Sequence, residues 1–129
     1  MKIPEELKYT KTHEWVKVEG NTAICGITDY AQSELSDIVY LELHHVGSNV
    51  KKGEAFGNIE AVKAISEIYS PVSGKIIEAN TGLSNSPNIV NEDPYGKGWM
   101  VKIELSDPEE LNTLLTPEEY TAFIKSSQK

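Results

Sequence analysis

Ala55-Phe56-Gly57-Asn58-Ile59-Glu60-Ala61-Val62-Lys63-Ala64-Ile65-Ser66-Glu67-Ile68-Tyr69-Ser70-Pro71-Val72-Ser73-Gly74 is a pair of β-prone runs on either side of one lysine. The spacing predicts a strand over 55–60, a tight tip over 61–64 and a returning strand over 65–69. Pro71-Val72-Ser73-Gly74 reads as a second turn, because proline and glycine pre-set turn geometry. A further strand is expected over 75–80. A lysine at such a tip stands in solvent, with Glu60 three residues before it and Glu67 four after. A modifying enzyme can reach an amine held that way, so Lys63 reads as the attachment point of a swinging arm.

Working towards the N-terminus, Glu14-Trp15-Val16-Lys17-Val18-Glu19 alternates polar and apolar, the two-residue period of a half-buried strand. Gly20-Asn21 is a turn signal and Thr22 to Ile27 is the returning strand. A short helix is expected over 30–35, with Asp29 as its N-cap and Gln32 as its capping-box partner. Ile38 to Leu43 is the next strand. Towards the C-terminus, residues 80–97 read as loop with a turn of helix near Leu83. Gly98 to Leu105 is the last strand. Asp107-Pro108-Glu109-Glu110 and Thr116-Pro117-Glu118-Glu119 both combine a capping residue, a first-turn proline and a third-position glutamate, so helices are expected over 107–125. Those glutamates are explained by helix-start electrostatics. Many short strands with terminal helices give a mainly β sandwich or barrel. No linker divides the chain, so residues 1–129 are expected to form a single domain.

Composition narrows the function. The 129 residues carry a formal charge of −8 with 39% hydrophobic content. That charge repels nucleic acid and anionic membranes. All twelve basic residues are lysines, so bidentate guanidinium clamps on phosphate are unavailable. The single cysteine, Cys25, lies in an apolar run, where an inert buried thiol is expected. No apolar run approaches a membrane span. The N-terminal stretch reads as neither signal nor transit peptide, so a cytoplasmic location is expected. His13, His44 and His45 match no zinc spacing, so no metal site is expected. Trp15 and Trp99 read as packing residues. No phosphate-binding glycine loop and no nucleophile–base pair is evident, so no catalysis by this chain is expected.

Seven blocks together resemble the glycine cleavage H-protein family. They are His13-Glu14-Trp15-Val16; Gly26-Ile27-Thr28 with Tyr30-Ala31-Gln32; Asp37-Ile38-Val39; Glu60-Ala61-Val62-Lys63-Ala64; Tyr69-Ser70-Pro71-Val72-Ser73-Gly74; Val90-Asn91 with Asp93-Pro94-Tyr95-Gly96; and Gly98-Trp99-Met100. The departures are Ala61 and Thr12 where the family has serine, Ser36 where it has glycine, Glu67 where it has aspartate, and Leu43-His44 for Leu-Pro.

The resemblance implies a lipoyl/biotinyl-domain-like barrel-sandwich hybrid with short flanking helices. It implies lipoic acid in amide linkage to Lys63, with Glu60 as a mark for the lipoylating enzyme. It implies an arm cleft containing Thr12, Glu14 and Glu67. The chain would shuttle the aminomethyl group of glycine from a pyridoxal-phosphate glycine decarboxylase to an aminomethyltransferase, and be reoxidised by dihydrolipoamide dehydrogenase. An alternative within the same resemblance is a relay that donates lipoate to 2-oxoacid dehydrogenase subunits, and sequence does not separate the two. A biotin carrier would show methionines beside the lysine, where Val62 and Ala64 stand. A plain unmodified binding module is the remaining alternative.

Overall fold

The computed structural model describes residues 1–127. In chain order it has β1 (Lys8–Tyr9), β2 (Glu14–Glu19), β3 (Thr22–Ile27), α1 (Asp29–Leu35), β4 (Ile38–Leu43), β5 (Asn49–Val50), β6 (Ala55–Ala61), β7 (Ile65–Tyr69) and β8 (Gly74–Ala79). A 3-10 turn (Thr81–Ser84), α2 (Asn88–Glu92), β9 (Val101–Leu105), a second 3-10 segment (Pro108–Thr113) and α3 (Pro117–Ser127) complete it.

The strands form two sheets, a six-stranded one in the order β1-β2-β3-β9-β8-β5 and a three-stranded one in the order β4-β6-β7. Every pairing is antiparallel. One core lies between them. Val16, Cys25 and Ile103 from the larger sheet join Leu41, Ile59 and Ile68 from the smaller in a single buried cluster. Cys25 is fully buried there, as its apolar context predicts. Full burial pushes its thiol well above the ordinary range, so it is inert.

A second cluster explains how the C-terminus docks. Tyr9, Trp15, Tyr120 and Ile124 pack together, with the rings of Tyr9 and Tyr120 stacked at 4.7 Å. β2 is therefore buried on both faces over Glu14, Trp15 and Val16, and the alternation seen in its sequence does not translate into alternating exposure there.

Three sequence expectations change. The N-cap of α1 is Thr28, whose hydroxyl accepts the Ala31 N–H, while Asp29 sits inside the first turn and accepts from the Gln32 amide. Residues 88–92, expected as loop, form α2. Thr116 and Glu119 make the reciprocal capping box, but Glu110 does not. Its carboxylate instead accepts the N–H and hydroxyl of Ser73 at 2.7 and 2.8 Å, pinning the turn that follows β7. Charge at a helix start therefore does not account for Glu110.

Candidate functional site

The β6–β7 hairpin closes where the sequence places it. Glu60 pairs with Ile65, and the Ala61 N–H donates to the Ala64 carbonyl at 2.8 Å. Neither Val62 nor Lys63 has a positive φ, so the tip is built without the glycine that two-residue hairpins usually need. Its order comes from a neighbour instead. The Val62 N–H donates to the carbonyl of Asp37, at the entrance to β4, at 2.9 Å. Asn91 holds that entrance: its side chain accepts from the Ile38 N–H and donates to the Ser36 carbonyl and to Gln32. Lys63 is exposed, and its ammonium has no hydrogen bond or ion pair among the described residues. An amine displayed this way, on a fixed backbone and with no competing partner, fits amide attachment of an acyl group.

A groove of about 520 Å³ lies at the far end of β7 from the tip, lined in part by Tyr9, Thr10, Thr12, Tyr69, Ser70 and Leu115. Ile65, Glu67 and Tyr69 alternate onto one face of β7 and lead from the tip towards it. Glu14 does not line the groove itself but lies behind it, bonded to three residues that do. It is only 2% exposed, and its carboxylate accepts the hydroxyls of Thr10 at 2.7 Å and Thr12 at 2.5 Å. Its other oxygen accepts the Tyr69 N–H at 3.4 Å. Burial raises the Glu14 pKa from 4.5 to about 7, against the opposing pull of those three hydrogen bonds.

The local fold makes this arrangement. The chain turns sharply between β1 and β2, with the His13 N–H on the Thr10 carbonyl and His13 at a positive φ of 71°. That turn brings Thr10 and Thr12 over Glu14. His13 itself is structural: its Nδ1 meets the Tyr120 hydroxyl at 2.8 Å, and that hydroxyl meets Thr28 at 2.7 Å. Burial lowers the His13 pKa.

Of the residues the sequence singles out, Thr12 and Glu14 come into direct contact. Glu67 bonds to neither and does not line the groove; it is exposed, paired with Asn58. Glu60 is exposed beside the tip. Thr10, Asn91 and the Asp37 carbonyl were not foreseen. The Thr10-x-Thr12-x-Glu14 spacing held a readable signal, and Asp37 and Asn91 stood in two of the quoted blocks without an assigned role. Among the described residues no group of His, Cys, Asp and Glu is placed to hold a metal ion, and no helix is long and apolar enough to cross a membrane.

The chain matches the glycine cleavage H-protein family over residues 7–127. It is 56% identical over 124 residues to the glycine cleavage system H protein of Staphylococcus saprophyticus, covering 96% of this chain and 98% of that one. The glycine cleavage system H protein of Staphylococcus haemolyticus matches with the same identity and coverage. Among solved structures, a glycine cleavage system H protein from Mycobacterium marinum superposes with a TM-score of 0.87 at 34% identity, covering 95% of this chain and 98% of that one. The mainly β barrel-sandwich expectation therefore holds.

Proposed function

The chain belongs to the glycine cleavage H-protein family, and from that premise we propose that it is a carrier subunit and not a catalyst, with Lys63 acylated by lipoic acid. The observation that carries this reading is the free Lys63 amine on a backbone fixed by the Asp37 carbonyl. When bound, the lipoyl group would supply a strained cyclic disulfide, an electron acceptor able to take the aminomethyl group of glycine on one sulfur while the other becomes a thiol. The partners are then a pyridoxal-phosphate glycine decarboxylase, an aminomethyltransferase, dihydrolipoamide dehydrogenase and the enzyme that attaches lipoate, in a cytoplasmic system. The hard chemistry sits on the partners' cofactors.

The chain's own residues have three tasks. Lys63 presents the attachment atom. Glu60, beside it, marks the tip for the attaching enzyme. Thr12 lines the groove and Glu14 lies behind it as its hydrogen-bond partner, with Glu67 on the strand face leading to it. A cationic amine entering the groove would lower the Glu14 pKa and favour its carboxylate, and that ion would hold the amine by a charge-assisted hydrogen bond. The groove walls would limit water at a labile aminomethyl group.

The test is reconstitution of glycine cleavage with purified partners. Acylated wild-type chain should support turnover. Lys63→Arg, which keeps the charge but cannot take the acyl group under the same enzyme, should support none while remaining folded. Full turnover with Lys63→Arg contradicts the proposal.

A further inference from the structure

Half of the well-exposed large apolar side chains among the described residues gather at one place. Val39 is 58% exposed, Tyr40 44%, Val62 71% and Ile65 75%. The register brings them together, since Tyr40 pairs with Glu60 and Glu60 with Ile65 across the three-stranded sheet. Val62 is tied to the same edge through Asp37.

A bulge produces the cluster. The β4–β6 register slips between Ile38 and Tyr40, so Ile38 points into the core while Val39 and Tyr40 both face solvent. Regular alternation would have buried one of those two. Bulges that re-aim side chains in this way are over-represented beside functional sites. The next row out is polar: Glu42 pairs with Asn58 and Asn58 with Glu67, and Tyr40 donates to Glu42 at 3.3 Å. The result is an apolar face with Glu60 between Tyr40 and Ile65, the carboxylates of Glu42 and Glu67 in the next row and Lys63 at one end.

We infer that this bulged face is the docking surface for the enzyme that acylates Lys63, and that the enzyme offers an apolar surface bearing cationic groups opposite Glu42, Glu60 and Glu67. The inference rests on the carrier reading above. Acylation joins Nζ to the carbonyl carbon of an activated acyl phosphate, expels the phosphate group and releases two protons from the ammonium. That enzyme must bring its reacting atoms to Nζ, and so must cover the residues flanking it. Enzymes that act on the far end of an arm have no such need. A second copy of this chain is a poor occupant, because a two-fold contact would set three carboxylates against three, on a molecule already at −8.

The test uses full-length chain and a lipoate–protein ligase, with acylation followed by intact mass. Val39→Ser/Ile65→Ser should raise KM at least tenfold, leave kcat within twofold and leave Tm unchanged. Glu42→Lys/Glu67→Lys should raise KM and flatten its dependence on salt. Calorimetry with Lys63→Arg, which cannot react, should show the same losses of affinity when the face substitutions are added. If KM and affinity stay at the wild-type level, the inference is overturned. It is also overturned if the substitutions impair only coupling to the decarboxylase. Failure of the wild-type chain to be acylated at all would instead remove the carrier reading, and this inference with it.

Discussion

The carboxylate of Glu14, on the six-stranded sheet, accepts the backbone N–H of Tyr69, on the three-stranded sheet, at 3.4 Å. One buried acid thus joins the two layers beneath the groove. Its oxygens are shared between that amide and two threonine hydroxyls, so its protonation state bears on both stability and ligand affinity.

Glu14 makes the fold pH-sensitive in a defined direction. Its folded pKa of about 7 lies above the ordinary 4.5, so the native state binds the extra proton between those values. Its contribution is therefore greatest below about pH 4.5, is lost as pH rises towards 7, and is constant above. The full swing is roughly 3 kcal/mol. Glu14→Gln should remove that swing. Urea unfolding of both proteins from pH 5 to 8 should show the variant gaining on wild type as pH rises. A constant difference across that range would contradict the buried, titrating acid.

Ser36 holds a conformation suited to glycine. Its φ is 64° and ψ −149°, a region almost restricted to residues without a Cβ, and its hydroxyl is buried without a partner. Such backbone conformations cost about 1–3 kcal/mol. Ser36→Gly should stabilise the protein by about 1–2 kcal/mol, the gain being trimmed by the greater freedom of glycine when unfolded. Thermal unfolding checks the sign, and a lower Tm would contradict the strain.

Asn91 reaches the lysine tip through two backbone links. It holds Ser36 and Ile38, and the Asp37 carbonyl between them holds Val62. Asn91→Ala should cost about 1–3 kcal/mol. It should also speed hydrogen exchange of the Val62 amide by more than that global loss explains. Exchange at Ile59, in the core, is the internal reference. Equal losses of protection at both sites would show no special link to the tip.

Gly74 begins β8 against the Glu104 backbone. A Cβ built there would lie 2.0 Å from the Glu104 carbonyl oxygen, which belongs to the paired strand and has little room to move. Gly74→Ala should destabilise by about 2–4 kcal/mol. Urea unfolding tests this, and a near-neutral result would mean that β8 and β9 separate readily.

The hairpin was legible because each signal in it agrees: β-prone runs, a short tip carrying a lysine and a Pro-Val-Ser-Gly turn. The strand bounds at Ile65 and Tyr69 fall where periodicity puts them. α2 was not legible, since Asn88 and Asn91 are weak helix formers and Asn91 is there for its tertiary hydrogen bonds. Asp29 looked like a cap because Thr28 is equally suited, and local chemistry does not choose between adjacent capping residues. Glu14 read from β2 alone is an outward carboxylate. Its burial depends on the turn at His13 and on β7 of the other sheet, which supplies the Tyr69 N–H, neither of which a strand pattern contains. The Val39 bulge was hidden for the same reason: register is a property of two strands.

Intact mass after incubation with lipoate, ATP and a lipoate–protein ligase tests the central claim most directly. The wild-type chain should gain the mass of one lipoyl group, fragmentation should place it on Lys63, and Lys63→Arg should gain nothing. An unchanged wild-type mass, or a lipoyl group on another lysine, would contradict the account.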